Sequence, residues 1–163
     1  MTECVQPKLF DFVTAYLDDE EWRYEIIAEG QTVLASVRGD NGTWSIAIEV
    51  GKDADDRRIL VHSIFPVRTP QARRVAVAEL IARINFSLII GNFELDMNDG
   101  EIRFKTSLNL ADGRLTRAMF ECLLLSNFSM MDEYWQNIMS VAYGGLESAN
   151  LVEAIAEGAK SVQ

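Results

Sequence analysis

The chain has 163 residues, 48% hydrophobic and 25% charged, the composition of an ordinary globular domain rather than a disordered or membrane-spanning one. Its 25 Asp and Glu outnumber 15 Lys and Arg, a formal net charge of −10 that repels phosphate backbones and anionic lipid and argues against nucleic acid as a partner. There is no charged-then-apolar leader and no apolar run near the roughly 18 residues of a membrane span, so the expected location is cytoplasmic, with no membrane partner.

Leu9, Phe10, Phe12, Val13, Tyr16 and Leu17 have the spacing of an amphipathic helix over 8–17, with Pro7 acceptable at its first turn. The acidic run Asp18-Asp19-Glu20-Glu21 suits the exit of that helix poorly, where the dipole is negative, and so marks its end. Three alternating runs follow. A two-residue turn at Glu29-Gly30 sets Trp22, Tyr24 and Ile26 against Val37, Ala35 and Val33; a second at Asn41-Gly42 sets those three against Ile46, Ile48 and Val50. An acidic loop over 51–56 leads to a fourth strand over 57–65. If Val50 lies opposite Arg57, Ile59 and Val61 join the buried face, while Leu60, His62 and Ile64 point the other way beside Leu34 and Ala47.

Pro66 ends that strand, and Thr69-Pro70 reads as an N-cap followed by proline at the first helical position. The helix is predicted to run to about 90, with Val75, Leu80, Ile81, Ile84, Leu88 and Ile89 apolar, and Gly91 stops it. Next comes a hairpin over 93–108. A two-residue Asp99-Gly100 turn places Met97 opposite Ile102, Asp96 opposite Arg103, Leu95 opposite Phe104 and Glu94 opposite Lys105, one face apolar and the other oppositely charged.

After Asp112-Gly113, Thr116 caps a long helix, with Leu115 and Phe120 as a hydrophobic staple. Phe120, Leu124, Phe128, Met131, Trp135, Ile138 and Ala142 give it a buried stripe; Gly144-Gly145 ends it, and 151–159 forms a short last helix. The order α-ββββ-α-ββ-α-α indicates an α+β domain with an antiparallel sheet, without the strand–helix alternation of a Rossmann fold. Residues 1–163 read as one domain with loose ends at 1–6 and 160–163, since a chain of this length supports a single core.

The sequence offers no catalytic, cofactor or metal residues. His62, the only histidine, neighbours Ser63 on a strand, so the two point to opposite faces and cannot act as base and nucleophile. One histidine without clustered cysteines does not make a zinc site. Counting from Asp96, a calcium loop would need glycine at position six and glutamate at twelve, but Gly100 is fifth and Ser107 twelfth. Gly51-Lys52 lacks the earlier glycine and the following Ser or Thr of a phosphate loop. Cys4 and Cys122 read as free thiols, the latter in a helical pattern that buries it. Arg57, Arg58, Arg68, Arg73 and Arg74 read as a solvated face with internal ion pairs.

What remains is a second sheet face, Leu34, Ala47, Leu60, His62 and Ile64, more apolar than a fully solvated face and so a candidate partner-binding surface; if helices cover both faces it is core. Edge-strand pairing and homodimerisation are further routes to a protein partner. The alternative is a small-ligand binder or enzyme whose site gathers dispersed carboxylates and arginines in a pocket.

The segments GNFELDMNDGEIRFKTSLNL, 91–110, and MDEYWQNIMSVAYGG, 131–145, resemble the YbjN-like domain family, described as bacterial sensory transduction regulators. Members look like type III secretion chaperones, with helices on a bent antiparallel sheet. The resemblance implies a bacterial protein acting by protein binding, as a regulator or chaperone-like adaptor in signal transduction or stress response, with no catalytic residues or cofactor to carry over. The chain departs from the family after Gly145, where Leu146-Glu147-Ser148-Ala149-Asn150 replaces an acidic helix start.

Overall fold

In the computed structural model, residues 9–27, 31–51, 56–111 and 113–145 are described. They form α1 (Leu9–Asp19), β1 (Tyr24–Ile27), β2 (Thr32–Arg38), β3 (Thr43–Val50), β4 (Arg58–Ile64), α2 (Arg74–Ser87), β5 (Asn92–Leu95), β6 (Ile102–Asn109), α3 (Arg117–Glu133) and α4 (Trp135–Ala142). The strands make one antiparallel sheet in the order β1-β2-β3-β4-β6-β5. This is the expected α+β class, with the two-strand unit joined to the four-strand meander through β4 and β6.

The faces are as expected, but most registers are not. Tyr24 pairs with Ala35 and Ile26 with Val33 as expected, although Glu29 and Gly30 lie outside the described residues. Between β2 and β3, Val33 faces Ile48 and Val37 faces Trp44, a shift of two. The turn centres on Asp40 and Asn41, closed by the Gly39 N–H donating to the Gly42 carbonyl at 2.9 Å. Asp132 of α3 holds it there, its carboxylate accepting from the Asp40 and Asn41 N–H groups at 3.1 and 2.8 Å. A Cβ on Gly39 or Gly42 would collide with Asp132 or the Trp135 ring, so these glycines serve close approach rather than the turn.

Val50 faces Ile59, not Arg57, because the ladder runs one pair further, the Gly51 N–H donating to the Arg58 carbonyl at 2.9 Å. In the last hairpin Leu95 faces Ile102, Phe93 faces Phe104 and Glu94 faces Arg103. The expected two-residue turn is a four-residue loop, 97–100. Asp96 accepts from the Asn98 N–H at 2.7 Å, Asp99 from the Glu101 N–H at 2.8 Å, and Gly100 takes φ +84°. Side-chain acceptors thus stabilise a longer loop than Asp-Gly alone suggests.

Thr69 does not cap α2. Its N–H donates to the Gly100 carbonyl at 2.7 Å and its own carbonyl accepts from Arg74 Nε at 3.3 Å, so it belongs to the hairpin contact, its hydroxyl buried without a partner. A 3₁₀ turn, Gln71–Arg73, precedes the helix. α2 ends at Ser87, before the expected 90, where Leu88 turns extended and the Asn85 side chain binds both the Phe93 N–H, at 2.8 Å, and its carbonyl, at 3.0 Å. Val77 takes a core position, while Val75 and Ile89, expected on the apolar face, are exposed.

The long helix divides at Tyr134, φ −92° and ψ 1°. There the Asn41 amide donates to the Asp132 carbonyl at 3.1 Å, the kind of side-chain intrusion that breaks a helical ladder. Thr116 caps α3 as expected, accepting from the Met119 N–H at 3.2 Å. Helix 151–159 and the ends 1–6 and 160–163 lie outside the described residues.

The core lies between the helices and one sheet face. Val33, Ile46, Ile48, Ile59, Val61 and Phe104 are fully buried there beneath Phe120, Met131 and Ile138, each contributing roughly 1.5–3 kcal/mol. Within it Asn127 donates to the Val61 and Phe104 carbonyls at 2.9 and 3.2 Å and accepts from the Ser63 hydroxyl, which itself accepts from Trp44 Nε1 at 2.8 Å.

Candidate protein-binding face

Alternation along the strands brings the five predicted residues to the opposite face, and the observed registers make them contiguous. One row crosses the sheet as Glu25, Leu34, Ala47, His62, Lys105 and Asn92. Leu60 and Ile64 flank His62 along β4. Among the described residues, the hydrogen bonds and ring contacts between helices and sheet fall on the inner face, at the β5 edge or at the turns. Helices therefore leave this outer face bare, and Leu34, Leu60 and Ile64 are half-buried.

His62 and Ala47 are nevertheless only 6% and 7% exposed, because charged neighbours with long side chains fold over them. From β3, the Glu49 carboxylate lies 3.2 Å from His62 Nδ1. From β6, Arg103 and Lys105 both bind Glu94 of β5. Burial, and then the Arg103 charge, push His62 below its ordinary pKa despite Glu49. Burial alone would raise Glu94, but its bonds to Lys105 and Arg103 outweigh that and bring it to about 2. The imidazole is thus neutral and the carboxylate ionised at neutral pH, each held in one state rather than poised for proton transfer.

Sequence reading missed this charged frame. The alternation of Arg103 and Lys105 showed that they share a face; that β6 lies beside His62 depends on α2 carrying the chain across, which pattern does not show. The remaining arginines are engaged internally: Arg58 with Asp56, Arg68 with Asp99 and Glu101, Arg57 with the Gly113 carbonyl, Arg73 with the Val141 carbonyl, and Arg74 with the Met97 and Asn98 carbonyls. Cys122 is exposed rather than buried, since Phe120, Leu123, Leu124 and Asn127 occupy the inward positions of α3; Cys4 lies outside the described residues. Among the described residues no three His, Cys, Asp or Glu could hold a metal ion, and no helix is long and apolar enough to cross a membrane.

The family model described as "Putative bacterial sensory transduction regulator" matches residues 10–138. No curated protein matches the chain. The crystal structure of YbjN, "a putative transcription regulator from E. coli", superposes with a TM-score of 0.56 at 17% identity, covering 85% of this chain and 92% of that one. At that identity the likeness speaks for the fold alone. The match to the family model, spanning most of the chain, is the stronger finding: this protein belongs to the YbjN family.

Proposed function

We propose that the protein is a non-enzymatic regulator of the bacterial cytoplasm that works by binding another protein on the outer sheet face. The observation that carries this is the bare face itself, with Leu34, Leu60 and Ile64 half-exposed around a filled centre and an ion-paired margin. Apolar centre and polar rim are the anatomy of a recognition surface. The family description as a sensory transduction regulator supports the same reading. An enzyme of dispersed carboxylates and arginines draws less support, because those groups pair with one another, Glu94 with Arg103, Glu101 with Arg68 and Asp56 with Arg58.

Affinity capture from extract of the native cell tests the proposal, comparing wild type with Leu60→Glu after circular dichroism shows that both are folded. A partner retained by wild type and lost by the variant is expected. Equal recovery of every partner by both forms would rule out this face.

A further inference from the structure

The outward side of α2 is a second surface, separate from the sheet face. A surface helix is ordinarily apolar toward the core and polar outside, and one apolar on both sides is covered on both sides. α2 buries Val77, Leu80, Ile81 and Ile84, yet it turns Val75, Ala82 and Phe86 outward, Val75 at 74% and Phe86 at 94% exposure. With Glu79 these positions fall at steps of four, three and four, one seam along the helix. The line continues past the helix end to Ile89, 98% exposed. The seam's charges are balanced, Glu79 pairing with Arg83 at 2.7 Å.

We propose that this seam is a homodimer contact, α2 packing antiparallel against α2 of a second copy. A two-fold axis midway along the helix, between Leu80 and Ile81, sets Val75 against the second copy's Phe86, and Glu79 beside its Ala82 and Arg83. Charge selects this occupant and this orientation. Each Glu79 meets an Arg83 across the axis, whereas a parallel pairing would set like charges together, and a strongly charged foreign partner would find no net charge to match. Ala82, small and exposed, lets the two backbones approach at the crossing. The 14 residues of α2 span about 21 Å, and pairing centred there overlaps them all. The outer sheet face stays free in this dimer, so the fate of either proposal leaves the other standing.

Sedimentation velocity of the full chain over a concentration series tests it. A monomer–dimer equilibrium is expected, weakened at least about 30-fold by Phe86→Glu and by Ala82→Arg, the loss that goes with removing or blocking a central anchor. Both sites are exposed, so the unfolding midpoint of the monomer should not move. Arg83→Glu should also weaken association, and Glu79→Arg combined with Arg83→Glu should restore it. A wild-type chain that stays monomeric at every concentration overturns the proposal, as does a dimer that neither Phe86→Glu nor Ala82→Arg disturbs.

Discussion

His62 is the sole histidine of the chain, so a titration in the histidine range reports one known place. It faces Glu49 on β3, Arg103 and Lys105 on β6 and, beyond them, Glu94 on β5, and burial followed by the Arg103 charge lowers its pKa. A depressed folded-state pKa means that the unfolded chain takes up the proton first. The stability present above about 6.5 should therefore decline as pH falls below it, and His62→Gln should flatten that decline; urea midpoints at a series of pH values measure both. Glu94 acts lower down: its contribution, present above 4.5, should fade as pH drops toward about 2. Asn127 is a different case, a buried polar residue with every bond made. Asn127→Leu would strand the Ser63 hydroxyl's proton and the carbonyls of Val61 and Phe104, and should cost about 3 kcal/mol in urea unfolding.

Among the elements, α1 ends in an arrangement normally given to glycine. The Glu21 N–H donates to the Asp18 carbonyl and the Trp22 N–H to the Leu17 carbonyl, at 3.1 and 2.8 Å, with Glu21 at φ +55°, a Schellman closure. Glu21→Gly should raise stability by about 0.5 kcal/mol, measured by thermal unfolding, since relief of the left-handed conformation exceeds glycine's entropy cost. The acidic exit is accommodated by α3, whose Arg117 pairs with Asp19 and Glu20 and stacks on Tyr16. At the far side of the sheet, Asn85 occupies the outward N–H and carbonyl of Phe93 and so blunts the β5 edge against strand addition. Asn85→Ala should therefore increase aggregation on mild heating, followed by light scattering.

Strand faces were legible in the sequence because alternation has a period of two; register was not, because a slip of two residues keeps every side chain on its face. Thus Ile59 and Val61 were placed inward correctly with the wrong partners opposite them. What decided register was distant in sequence: Asp132 gripping the Asp40-Asn41 turn, and Arg74 holding the Met97 and Asn98 carbonyls. The break at Tyr134 had the same origin in the Asn41–Asp132 contact.

For the whole molecule, helices on one side of a six-stranded sheet leave two unpartnered surfaces, the outer face around His62 and the seam of α2. The five face residues were legible from alternation alone. Their charged margin was not, because it needed β6 beside β4. The central claim is recognition by that outer face, and site-specific photo-crosslinking in living cells addresses it most directly, with the probe placed at Leu60 or Ile64 and, as a control, at exposed Leu125 on α3. Discrete protein adducts from positions 60 and 64, lost when Leu34→Glu is added, are expected. Adducts from position 125 with none from 60 or 64 would contradict the account.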